Sequence, residues 1–148
     1  VIGSEFSGGM KNIVVRNNTF QGTDAGLRFK SAVKRGGKSE NIYIDHIYMT
    51  DITGDAITFE TTYFDNHVGA KQQAAPVKQE FLPDFQDIHI SNVYVRGCKN
   101  GIVAHGAEGM IHDITIKDCN IFYNKNAKDI DAACKITLEN VNFSTFAK

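Results

Sequence analysis

One short phrase, a polar residue followed by Ile and a second apolar residue two places on, occurs five times: Asn12-Ile13-Val14-Val15, Asn41-Ile42-Tyr43-Ile44, Asp87-Ile88-His89-Ile90, Asp113-Ile114-Thr115-Ile116 and Lys135-Ile136-Thr137-Leu138. Between the isoleucines the copies lie 29, 46, 26 and 22 residues apart. Five residues after each Ile stand Asn18, Ile47, Val93, Cys119 and Val141, and seven after stand Phe20, Met49, Val95, Ile121 and Phe143. Such a unit is too short to enclose a core, but stacked copies bury each apolar stripe against the next. The chain is therefore predicted to be all-β, a parallel β-helix of about five coils. A second strand follows a Gly turn in three coils, at Gly26-Leu27-Arg28-Phe29-Lys30, Gly54-Asp55-Ala56-Ile57-Thr58-Phe59-Glu60 and Gly101-Ile102-Val103-Ala104-His105, and a similar strand, Val1 to Glu5, opens the chain. Asn17, Asn92, Asn120 and Asn140 are expected at coil corners, where Asn tolerates turn conformations and can bond its counterpart one rung away.

A β-sandwich fits less well, because Asn100-Gly101 is the one hairpin-type dipeptide between alternating runs, and no segment sustains a helical period. The oversized second step is expected to hold an insertion loop over about 64–84, a polar stretch with both prolines. At 148 residues a single domain over 1–148 is expected. Sixteen Lys plus Arg against 17 Asp plus Glu leave a net charge of −1, which lacks the cationic excess that draws nucleic-acid binders to phosphate. No apolar run approaches the roughly 20 residues of a membrane-spanning helix. Neither nucleic acid nor membrane is an expected partner. Cys98, Cys119 and Cys134 lack Cys-x-x-Cys spacing, so buried thiols, or one disulfide and one thiol, are expected rather than a metal knuckle.

Alternation over Gly26–Ser31 turns Leu27 and Phe29 inward and Arg28 and Lys30 outward, with their Cα atoms roughly 6.5 to 7 Å apart. An Arg fork beside a Lys point charge suits a carboxylate or sulfate. The competing structural reading is an exposed pair offset by Glu5 and Glu60 on neighbouring rungs. The next rung points Thr58 and Glu60 outward and ends in Thr61-Thr62-Tyr63, where a tyrosine could pack on a sugar face or merely cover a coil end. His105 faces outward one rung later, and without a nearby Cys or second His it is not expected to be a ligand. No Gly-x-Ser-x-Gly, phosphate-cradling Gly loop, His-Glu-x-x-His or calcium repeat occurs.

These residues resemble glycoside hydrolase family twenty-eight, the polygalacturonases and their relatives, especially the bacterial branch. Val1-Ile2-Gly3-Ser4-Glu5-Phe6-Ser7-Gly8-Gly9 is similar to the segment after the family's Gly-His-Gly motif. Gly26 to Lys30 is similar to its Arg-Ile-Lys motif, with Phe29 at the inward Ile position, and Arg35-Gly36-Gly37 through Asn41-Ile42 to the turn and strand that follow. Ala56 to Tyr63 resembles the rung carrying an active-site Tyr. The resemblance implies a right-handed parallel β-helix and inverting hydrolysis of α-linked galacturonan in pectin. Arg28 and Lys30 would hold the uronate carboxylate, Tyr63 would contact the sugar, and Glu5 could line the cleft. No cofactor or metal is implied, and the location implied is extracellular or periplasmic.

An inverting glycosidase needs a carboxylic acid and a second carboxylate roughly 6.5 to 9.5 Å apart. The family carries these in Asn-Thr-Asp and Asp-Asp motifs, neither of which occurs here, so no catalytic residue is assigned. The expectation is the C-terminal part of a longer hydrolase, supplying substrate-binding residues and inactive alone, with association through the apolar coil edge near Val1 to Glu5. Alternatives are a non-catalytic β-helix that binds acidic glycans or serves as an adhesin or tail-fibre segment, and a calcium-dependent lyase, for which Asp51 and Asp55 are too isolated.

Overall fold

The computed structural model describes residues 1–62 and 81–146. Seven strands form it: β1 (Met10–Gln21), β2 (Leu27–Lys30), β3 (Ser39–Thr50), β4 (Asp55–Glu60), β5 (Ile88–His105), β6 (Ile114–Ile130) and β7 (Ile136–Thr145). Every strand-to-strand ladder is parallel, and no α-helix occurs among the described residues. One wall stacks β1, β3, β5, β6 and β7, while a second stacks β2, β4 and the C-terminal halves of β5 and β6. Strands β5 and β6 are long because each turns the corner and serves both walls, with register shifts between Arg96 and Asn100 where they bend. The fold is a parallel β-helix.

The repeated phrase sets the register. Ile13, Ile42, Ile88, Ile114 and Ile136 are consecutive Cα partners, and so are Phe20, Met49, Val95, Ile121 and Phe143. Ile42, Ile88, Met49 and Val95 are fully buried in the middle rungs, whereas Ile13 and Phe20 at one end and Ile136 and Phe143 at the other are partly covered. The second wall adds aromatic stacking, with Phe29 and Phe59 rings 4.6 Å apart and nearly parallel.

Strict two-residue alternation would turn the apolar residues outward between the second and fifth positions after the corner, so one extra bend is needed per coil. It is supplied by left-handed backbone at Asn17, His46, Asn92, Asp118 and Asn140, with a second set at Asn12, Asn41, Asp87 and Asp113 just before the isoleucines. Asn and Asp reach that region more cheaply than branched residues do. The corner side chains bond from rung to rung: Asn41 donates to Asn12 at 2.7 Å, Asn92 to Asp45 at 3.1 Å and Asn140 to Asp118 at 2.8 Å. Asn120 departs from expectation. Asp118 takes the corner of its coil, and Asn120 lies within β6, where it accepts from Asn142 one rung on at 3.3 Å.

Gly26, Gly54 and Gly101 precede the second-wall strands because the chain passes close to its neighbour there. A Cβ at Gly26 would lie 2.3 Å from the Ala56 carbonyl oxygen, and one at Gly101 would lie 2.4 Å from that of Ala127. Of the expected insertion, residues 64–80 lie outside the described residues. Asp84, at its far end, already belongs to the helix: it bridges Lys38 in parallel, and its carbonyl accepts from the Ser39 amide at 2.9 Å.

Candidate functional site

The outward face of the second wall is read directly from its register. Arg28, Thr58, Val103 and Asp129 are successive Cα partners on β2, β4, β5 and β6, and Lys30, Glu60 and His105 form the next outward row. Leu27 and Phe29 are buried beneath while Arg28 and Lys30 are partly exposed, so the two cations do share one face. The first strand of the chain supports them, because the Ile2 amide donates to the Arg28 carbonyl at 2.8 Å and the Lys30 amide donates to that of Ile2 at 2.9 Å.

Glu60 engages the Arg28 guanidinium, which donates to its two carboxylate oxygens at 2.9 and 3.2 Å. Both side chains are about a quarter exposed, at 24% and 28%, so the pair is neither a fully screened surface contact nor a buried one. Asp24 lies 3.9 Å from the other Arg28 terminal nitrogen. Thr58 faces outward yet is 1% exposed, and Val103 beside it is also buried, which gives the row an uncharged floor. The Thr58 hydroxyl and the Arg28 Nε are buried without a hydrogen-bond partner among the described residues. Two adjacent unsatisfied polar atoms are uncommon in a native interior.

Glu5 pairs with Arg35, which follows β2, rather than with Arg28. Of the two acids proposed to offset the cations, Glu60 meets Arg28 and Glu5 is committed elsewhere. Tyr63 lies outside the described residues. An open recess of about 490 Å³ involves Ser7, Gly9, Met10, Lys38, Glu40 and Asp84, and none of Arg28, Lys30 or Glu60.

Two acidic residues not singled out from the sequence complete the outward face. His105 Nδ1 lies 3.1 Å from an Asp131 carboxylate oxygen and Nε2 lies 3.4 Å from Asp129. The second Asp131 oxygen accepts from the Gly106 amide at 3.0 Å. The His105 hydrogen bond, and then that amide, hold the Asp131 carboxyl below the ordinary aspartate range. The alternation Asp129-Ile130-Asp131, carried on from the β5 register, was the available signal for this pair. Other His–Asp pairs are scattered over the surface, including His89 with Asp87 and His112 with Asp84, both at 2.8 Å. Among the described residues no three or more His, Cys, Asp or Glu side chains are grouped so that they could hold a metal ion. Cys98, Cys119 and Cys134 are unbridged and buried.

The sequence matches the model for glycosyl hydrolases family 28 over residues 1–145. The chain belongs to that family. A polygalacturonase of Ralstonia nicotianae is 27% identical over 142 residues, covering 89% of this chain and 24% of its own length. A polygalacturonase of Ralstonia solanacearum is 32% identical over 105 residues, 68% of this chain and 18% of that protein. An exo-poly-alpha-D-galacturonosidase of Dickeya chrysanthemi is 29% identical over 96 residues, 65% of this chain and 15% of that protein. This family 28 chain thus spans a quarter or less of the length of these relatives. Its parallel β-helix agrees with the family assignment.

Proposed function

We propose that this chain supplies the substrate-clamping residues of a polygalacturonase-type site acting on pectic galacturonan by inverting hydrolysis. Arg28 and Lys30 hold a uronate carboxylate, Tyr63 contacts the sugar, and Glu5 lines the cleft. The reading rests on one observation above all: in a family 28 chain, a guanidinium and an ammonium project side by side from one rung of the second wall. The Arg28–Glu60 pair supports it as well, because a held guanidinium loses less side-chain freedom when a ligand arrives. The 148 residues contain no Asp-Asp or Asn-Thr-Asp motif, so the chain alone is inactive. Action outside the cytoplasm, on cell-wall pectin, belongs to the same reading, as does association through the apolar coil edge near Val1 to Glu5.

Calorimetric titration of the folded chain with trigalacturonate tests the clamp. Arg28→Ala and Lys30→Ala each weaken binding by about 10- to 100-fold, the range for losing a hydrogen bond to a charged group. Unchanged affinity in both variants, with unchanged melting temperatures, removes the pair from the site. The missing aspartate motifs favour a second reading, a non-catalytic binder of acidic glycans. Reducing-end release from polygalacturonate by the full product of the gene supports the hydrolase, and its absence supports the binder.

A further inference from the structure

The wall of β1, β3, β5, β6 and β7 has an outward face of its own. Alternation sets one row through Tyr48 and Tyr94 and the next through Thr50, Arg96 and Phe122, roughly 6.5 to 7 Å further along the strands. The Tyr48 and Tyr94 rings stack nearly parallel 5.7 Å apart, and Phe122 tilts against Tyr94 at 5.8 Å. Stacking covers ring faces, yet the two tyrosines stay 38% and 42% exposed, so ring edges and phenol groups are what they present to solvent. Neither hydroxyl has a hydrogen-bond partner among the described residues.

Rung-to-rung stacking accounts for the rings but not for the charge beside them. Arg96 is exposed, and among the described residues its guanidinium makes no ion pair. At the corner just beyond that row lies a recess of about 250 Å³, with Asp51, Gly97 and Lys99 in its lining. Lys99 is likewise exposed and likewise without an ion pair among the described residues. Asp51, the acid in the lining, accepts from the Thr50 hydroxyl at 3.2 Å. Two cations against one carboxylate leave a local positive excess on a chain whose net charge is −1. Tyrosine offers rigid, amphipathic contact area at low entropic cost, and the Arg fork matches a carboxylate.

We propose that this face is a second binding surface for an acidic oligosaccharide, on a different wall from the clamp. The edges and hydroxyls of Tyr48 and Tyr94 meet the sugar, Arg96 takes a carboxylate, and the recess at Lys99 takes the next one. The choice of a uronate over other anionic sugars rests on the clamp reading above, whereas the surface rests on its own residues. One polymer engaged here is held at a high effective concentration for the clamp.

Calorimetric titration with hexagalacturonate reads the surface once the clamp is removed. The Arg28→Ala/Lys30→Ala chain still binds the hexamer, and adding Arg96→Gln weakens that binding about tenfold, the loss of one hydrogen bond to a charged group. Lys99→Gln shifts it in the same direction and serves if the Arg96 variant fails to fold. The fully methyl-esterified hexamer binds the clamp-free chain more weakly than the acid does. Loss of all binding when the clamp is removed, or an affinity that Arg96→Gln leaves unchanged in a folded chain, overturns the surface and leaves the clamp standing. Hexamer binding that keeps its full strength without the clamp and falls with Arg96→Gln supports the surface and removes the clamp. A wild-type chain that binds no hexamer overturns both. Self-association in sedimentation velocity that Arg96→Gln abolishes gives the face to a second copy of the chain and overturns the saccharide.

Discussion

At the scale of single residues, the second wall combines firm choices with one unresolved conflict. The Thr58 hydroxyl is buried without a partner among the described residues, although it sits at a strand position where any β-branched side chain packs equally well. Replacing it with an apolar group of the same shape removes an unsatisfied group at little packing cost. Thr58→Val should therefore raise stability by about 1 kcal/mol in urea denaturation. A loss of stability would mean that the hydroxyl has a partner in the folded protein. The acidic side chains make a second claim. Asp131 is held low by His105 and the Gly106 amide, and Asp87 by His89 and the Asn41 amide. The folded carboxyls bind protons more weakly than unfolded ones, so their contribution is present above the ordinary aspartate pKa near 3.9 and is lost as pH falls through the lower, folded value. The urea midpoint should fall from about pH 5 downward, and Asp131→Asn should flatten that dependence. Both carboxyls are partly exposed to solvent, so the effect of each is small.

At the scale of elements, the strands are defined by columns rather than by individual propensity. Cys119 stands in the column of Ile47, Val93 and Val141, and its thiol behaves as a small apolar group there. Burial pushes the Cys98 thiol up to about 12 and the Cys119 thiol up to about 11, and burial also raises Cys134. Because the thiolate is the reactive form, a thiol-specific disulfide reagent near pH 8 should label none of the three in the folded protein and all three after unfolding. Rapid native labelling would place at least one of them at an accessible edge. The alternation that buries these thiols was legible from the sequence, since the period of two is a property of extended backbone. Which Asx residue takes the left-handed corner was less legible, as Asn120 and Asp118 show. Both tolerate the conformation locally, and the choice follows from how many residues the wall on either side needs to keep its apolar positions inward.

At the scale of the whole molecule, a solenoid has two ends, and each leaves a strand paired on one side. Among the described residues β1 pairs with β3 along one edge only, and Val14 on its outward face is 64% exposed. An unprotected edge is a template for pairing with another chain. Sedimentation velocity should show association that grows with protein concentration, and Val14→Lys, which adds charge beside the edge without touching the core, should reduce it. A monomer at every concentration would count against association.

The repeat determined the architecture by itself, because stripes at matching offsets have nowhere to be buried except against one another, and the observed register joins the very residues that the phrase aligned. The outward placement of Arg28 and Lys30 followed from the same alternation. Tertiary structure alone decided who meets whom across rungs: that Glu60 takes Arg28, that Glu5 goes to Arg35, and that Asp129 and Asp131 close on His105. Residues brought together by stacking are some 25 to 45 positions apart in the chain, as the bonds from His105 to Asp131 and from Asn100 to Asp55 illustrate. Local sequence fixes which way a side chain points, but its neighbours depend on coil length and on long side chains choosing among partners within reach.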